Sequence, residues 1–172
     1  MIISISGKIG SGKDTAARLL QEMMPEMNWI NKKWAGKLKD VAEIISGIPK
    51  EKFEDQEFKK TNMGIEWATW YPNSDRPEYM TVRDFLQILG TEAMRDGLHK
   101  NTWVNALLAD YKEETFLDNE GLTRYRYPHW IITDTRFPNE LAAVKEKHGI
   151  TIKVVRDSIT DVGASHSSET AL

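Results

Sequence analysis

The chain has 172 residues, 28% of them charged, a net charge of −3 and no cysteine. That length suits one domain with a substantial core. The mildly acidic balance argues against a polyanion partner such as nucleic acid, and the lack of cysteine excludes disulfides and thiolate zinc sites. The N-terminus turns polar too soon for a signal peptide, and no apolar run approaches the roughly 20 residues that span a bilayer. The expectation is a soluble, cytoplasmic protein with no membrane partner.

Ile2-Ile3-Ser4-Ile5-Ser6 reads as a buried strand. Lys13–Met24 reads as a helix with Ala16, Leu19, Leu20 and Met23 inward and Pro25 as its stop. The join between them is GKIGSGKDT, residues 7–15. Its glycines allow a tight bend and leave backbone N–H groups bare. Lys13 adds a full positive charge, and the helix N-terminus a partial one. Strand, G-x-x-x-x-G-K loop and helix together are the layout of a phosphate-binding P-loop. One position departs from it: Asp14 stands where the pattern has Ser or Thr, and the hydroxyl comes one later, at Thr15.

Further along, Met27–Ile30 reads as a short second strand, and Ala35–Ile45 as a helix with Leu38, Val41, Ala42 and Ile45 on one stripe and Gly47 as its cap. Pro49–Lys60 reads as a short charged helix. Residues 61–80 lose all periodicity, as functional or mobile loops do. Thr81–Asp96 is predicted as a helix capped by Thr81 and Asp84, with Val82, Phe85, Leu86, Leu89 and Ala93 as its core stripe. Thr102–Glu113 is a second helix, and 115–128 a polar hairpin or loop around Asn119-Glu120-Gly121. His129–Asp134 is a buried strand ending in a carboxylate, Phe137–His148 a returning helix stopped by Gly149, and Ile150–Val155 a last apolar strand. This order implies crossovers and an α/β fold with a central parallel sheet covered on both faces.

In such sheets ligands bind beyond the carboxyl ends of the strands. The P-loop meets that rule, and so does Asp134-Thr135-Arg136. An acid there suits Mg²⁺ or its water; the alternative is an N-cap for the helix that follows. Arg136 would reach into the same crevice and neutralise phosphate. On the helix 81–96, Arg83, Gln87, Thr91 and Arg95 form one polar stripe. A solvated face explains the stripe, but Gly90 inside a helix costs about 1 kcal/mol against Ala, and a ligand lying close would explain both. Lys37 and Lys39 read as surface charge, Trp103 as core, and Arg124 and Arg126 as exposed loop charge. His166 and Glu169, in the polar tail, suggest no catalytic role by themselves.

The GSGKDT ending of the loop, LQILGTEAMRDGLHKNTWVNALL at 86–108, IITDTRFPNELAAVKEKHG at 131–149 and VVRDSITDVGASHSSETAL at 154–172 closely resemble the deoxynucleoside monophosphate (dNMP) kinases of tailed bacteriophages. The resemblance spans most of the chain in motif order. It implies a P-loop kinase three-layer fold, a parallel sheet flanked by helices, as one domain: a core of about 1–34 and 128–172 and a helical monophosphate-binding insertion of about 35–127. It implies transfer of the ATP γ-phosphoryl group to a dNMP with Mg²⁺, for phage DNA precursors in the host cytoplasm.

By position, Gly10, Ser11, Gly12, Lys13, Asp14 and Thr15 would hold the ATP phosphates, with Asp14 and Thr15 at the metal. Leu38, Lys39, Arg83, Gly90, Thr91, Trp103, Asp134, Arg136, Phe137, Glu140 and Ser168 would bind the dNMP. Lys13, Arg83 and Arg136 would be the catalytic cations. A homodimer stays open. The resemblance also implies a last strand and an Asn-Gly turn after Ala171-Leu172, so the chain is expected to continue beyond this sequence. Alternatives are the same fold acting on another small phosphorylated acceptor, such as dephospho-coenzyme A or an isoprenoid precursor, or a nucleotide-binding switch or ATPase module.

Overall fold

The computed structural model describes residues 1–8, 10–70, 72 and 75–156; Ser168, His166 and Glu169 lie outside the described residues. Contacts divide the chain into two compact units, Met1–Trp34 with Trp103–Leu172, and Ala35–Thr102. No helix among the described residues is long and apolar enough to cross a membrane.

The first unit is built on a parallel sheet of four strands, β1 (Ile2–Ser6), β2 (Ile30–Lys32), β5 (Trp130–Thr135) and β6 (Ile150–Lys153), in the order β2-β5-β1-β6. β1 is buried along its whole length, as a central strand covered on both faces must be. Alternation then sorts its side chains. Ile2, Trp130 and Ile132 face one layer, shared with Val104 and Leu107 of α4 (Thr102–Leu108) and Ala143 and Val144 of α5 (Pro138–Glu146). Ile3, Ile5 and Ile131 face the other, against Ala16, Ala17 and Leu20 of α1 (Lys13–Met23). The expected α/β architecture of a parallel sheet flanked by helices is what the chain forms.

Several local expectations shift. Leu19 and Met23 are exposed, 47% and 76%, and α1 turns Ala16, Ala17 and Leu20 inward instead; the two alanines let the helix lie close to the sheet. The second strand begins at Ile30, not Met27, because a 3₁₀ turn at Pro25–Met27 and a left-handed Asn28 precede it. The 102–113 helix ends at Leu108. The polar segment 115–128 is an antiparallel hairpin, β3 (Glu114–Leu117) with β4 (Thr123–Arg126).

The second unit packs α2 (Trp34–Ser46) and α3 (Val82–Gln87) around Ala42, Phe53, Met63, Val82, Phe85 and Leu89. Ile45 is 46% exposed rather than core. Gly47 ends α2 with φ +70° and donates its N–H to Glu43 O, the left-handed cap the sequence suggests. The expected helix at 49–60 is instead two 3₁₀ turns, Lys50–Glu54 and Phe58–Lys60. Between them Asp55 is extended, and its carboxylate accepts the N–H groups of Glu57 and Phe58, an alternative to the helical ladder that short acidic side chains offer. Among the described residues of the aperiodic stretch, bridges join Asn62 to Thr81 and Thr69 to Glu78, and Met63 is buried and donates its N–H to Met80 O.

Thr81 and Asp84 form the expected capping box. From Ile88 to Leu98 the helix continues with π-helical turns. Those wider turns explain why Ala93 is exposed and Met94 packs on the core instead: past Leu89 the inward repeat becomes five residues, not four.

Candidate active site

The loop between β1 and α1 has a backbone that only glycine tolerates. Gly10 and Gly12 have φ of +78° and +97°. At Gly7 a Cβ would lie 2.5 Å from Val154 O and 2.7 Å from Ser11 Oγ. Gly12 is the N-cap of α1, and no capping side chain takes up the first-turn N–H groups. Ser11 Oγ is buried within the loop and has no hydrogen-bond partner. A bare helix N-terminus beside a buried, unsatisfied hydroxyl is a site prepared for an anion.

Lys13 donates to Gly7 O at 2.7 Å and Lys8 O at 2.8 Å, so its ammonium curls back over the loop. Its pKa lies below the ordinary lysine value, mainly through burial and next through the charge of Arg136; Asp14 and Asp134 oppose the shift. The carboxyl end of β5 therefore faces the loop with both signs of charge.

The end of β5 carries a bulge. Ser4 pairs with Ile132, but Ser6 pairs with Thr135, so β5 has one residue more than β1 across that step. Asp134 Oδ1 accepts the backbone N–H of Trp34 at 2.9 Å, the first residue of α2. The sequence weighed Asp134 as a cap for the helix that follows it; it caps a helix 100 residues earlier instead. The following helix, α5, is served by Glu140, whose buried carboxylate accepts from Arg136 N at 2.7 Å and Phe137 N at 3.0 Å. The Arg136 residue itself is exposed.

In the second unit, Lys39 is not surface charge: it is 7% exposed and pairs with Glu54. Arg83 donates to Gln56 Oε1 at 3.3 Å. Thr91 and Gly90 are buried. A Cβ at Gly90 would meet Leu38 Cδ2 at 2.9 Å, so the close approach inferred at that glycine is made by Leu38 of α2. Arg124 binds Asp118 and Arg126 lies over Phe116, both within the hairpin.

A profile for the family described as deoxynucleotide monophosphate kinase matches residues 42–172. The chain belongs to the deoxynucleotide monophosphate kinase family. A protein of Acanthamoeba polyphaga mimivirus, described as "Putative deoxynucleotide monophosphate kinase", is 30% identical to it over 182 aligned residues that cover 100% of this chain and 82% of the viral one.

Membership makes the chain a kinase by family, that is, a phosphotransferase, and kinases of nucleotides work with a divalent metal on the phosphates. Among the described residues no three His, Cys, Asp or Glu side chains gather as a metal cage. Asp14 and Thr15 are exposed in the first turn of α1. They are hard oxygen donors, which fit Mg²⁺, an ion usually held by one or two protein groups with substrate phosphates. Sequence reasoning about this kinase missed Glu54 and Gln56, the partners of Lys39 and Arg83. It also missed Trp34 and Thr135, which meet through Trp34 Nε1 and Thr135 Oγ1 at 3.0 Å. No local pattern signals a contact across 101 residues; the one available cue was a tryptophan immediately before a predicted helix.

Proposed function

We propose that the protein transfers the γ-phosphoryl group of ATP to a dNMP, giving ADP and dNDP for DNA synthesis. One arrangement carries the reading. A glycine-rich loop leads into an uncapped helix N-terminus, and its lysine feels both Arg136 and Asp134.

On this reading the loop is a P-loop. Gly10, Ser11, Gly12, Lys13, Asp14 and Thr15 take the ATP phosphates, through backbone N–H groups, the Ser11 hydroxyl and the Lys13 ammonium. Mg²⁺ would be held by Asp14, Thr15 and the bound phosphates, and supplies charge neutralisation when present. Lys13 exchanges its bonds to Gly7 O and Lys8 O for phosphate oxygens. An oxygen of the dNMP phosphate attacks the γ phosphorus. The bond from that phosphorus to the β–γ bridging oxygen breaks, and ADP leaves with the electron pair. The acceptor is already an anion, so no strong base is needed; positioning and charge neutralisation do the work. Arg136 and Arg83 neutralise the acceptor phosphate, guanidinium being suited to bidentate contacts. Leu38, Lys39, Gly90, Thr91, Trp103 and Phe137 are assigned to the dNMP. Glu140 supports them by holding the backbone of Arg136 and Phe137.

A coupled ADP-release assay with a panel of deoxy- and ribonucleoside monophosphates tests this. Release should require a dNMP; release without any acceptor would make the protein an ATPase. Lys13→Ala should lower kcat by about 100-fold or more, the scale of losing a charged donor at the transferred group. Arg136→Ala should lower kcat/KM for dNMP by about 10- to 100-fold, the worth of a hydrogen bond to a charged group.

A further inference from the structure

Three hydrogen bonds converge where β5 ends. Trp34 N donates to Asp134 Oδ1 at 2.9 Å, Trp34 Nε1 donates to Thr135 Oγ1 at 3.0 Å, and Thr135 Oγ1 lies 2.6 Å from Ser4 Oγ. Trp34, Thr135 and Ser4 are 2%, 2% and 0% exposed. The indole N–H can only donate, so Thr135 Oγ1 accepts it, and between Thr135 and Ser4 either hydroxyl can donate. A valine of the same shape would leave a buried indole N–H unmet.

Strict alternation along β5 would turn Thr135 to the face of Ile131, away from Trp34. The bulge brings Thr135 into register with Ser6 and so onto the face of Ser4, Ile132 and the Trp34 cluster. A bulge re-aims a side chain at the cost of one ladder position, and here the re-aimed side chain is the acceptor for Trp34.

We propose that Trp34, Asp134 and Thr135 form a clamp, and that they are positioning residues for phosphoryl transfer. The clamp fixes Trp34 to the carboxyl end of β5. Arg136 follows Thr135 directly in the chain, so the clamp sets where the backbone delivers Arg136. Within the clamp, Asp134 Oδ1 serves as a hydrogen-bond acceptor. The kinetic consequence rests on the reading that Arg136 contacts the dNMP.

The test combines amide hydrogen exchange with kinetics on the full chain. Thr135→Val and Trp34→Phe should each speed exchange at the first-turn amides of α2. They should raise KM for dNMP by about tenfold or more, as sub-ångström to ångström misplacement does, while KM for ATP stays within about twofold. The double variant should be no worse than the worse single one, because both remove the same bond. Thr135→Ser should restore the wild-type values. Asp134→Asn, which keeps an oxygen for Trp34 N, should recover most of the kcat/KM that Asp134→Ala loses. Unchanged exchange in Thr135→Val, multiplying effects in the double variant, or Asp134→Asn as poor as Asp134→Ala would each overturn the clamp. If the wild-type protein phosphorylates no nucleotide, the proposed function falls, and the exchange data still decide the clamp.

Discussion

Lys13 carries a burden that the catalytic use proposed for it would explain. Burial and Arg136 hold its pKa below the ordinary lysine value of 10.5. Between that lowered value and 10.5 the unfolded chain binds more protons than the folded one, so this group makes stability rise with pH across that window. Below it, the folded protein holds a partly desolvated ammonium at a cost. Lys13→Met should therefore leave the urea midpoint unchanged or raised while removing turnover. The same shift has a kinetic face. If the ammonium must be charged to hold phosphate, the alkaline limb of kcat/KM falls at a lower pH than a free lysine would set. Arg136→Gln removes a repelling charge, and a pH–rate profile should show that limb moving to higher pH. A limb that stayed in place would mean that another group titrates there.

At the scale of elements, two helices owe their geometry to single residues. α5 starts where Glu140 accepts the N–H groups of Arg136 and Phe137. Glu140→Ala strands both donors and should cost about 1–3 kcal/mol, read as a lower urea midpoint; Glu140→Gln keeps an acceptor and should lose less. In the π-helical stretch Ile88–Leu98, Gly90 faces Leu38. Gly90→Ala gains up to about 1 kcal/mol of helix propensity, against the displacement of a terminal methyl group that would otherwise sit 2.9 Å from the new Cβ. The melting temperature should hardly move. KM for dNMP should rise because Leu38 is pushed aside, and an unchanged KM would take Leu38 and Gly90 out of the acceptor site.

Across the whole molecule, each unit has its own core: the sheet faces in one, and the cluster around Phe53 and Phe85 in the other. Phe53 is 0% exposed, and its truncation to Ala should cost about 3–5 kcal/mol. Hydrogen exchange should rise within 35–102 more than in β1 and β5, since stability is lost locally before it is lost globally. Equal deprotection of both units would mean that they unfold as one.

Much of this was legible because it is local. The buried run Ile2–Ser6, the glycine loop, the Thr81–Asp84 cap and the strand read at 129–134 are set by neighbours within four residues, and periodicity reports them. Family membership was legible in motifs such as IITDTRFPNE and LQILGTE. Other features depend on partners far along the chain, and only the tertiary structure decided them. Asp134 caps α2 rather than the helix beside it. Lys39 is buried because Glu54 meets it. Ala93 turns outward because the helix widens after Ile88. Thr135 reaches Trp34 because β5 holds one extra residue opposite β1. A strand's own sequence encodes its alternation; only the strand paired with it determines where that alternation slips.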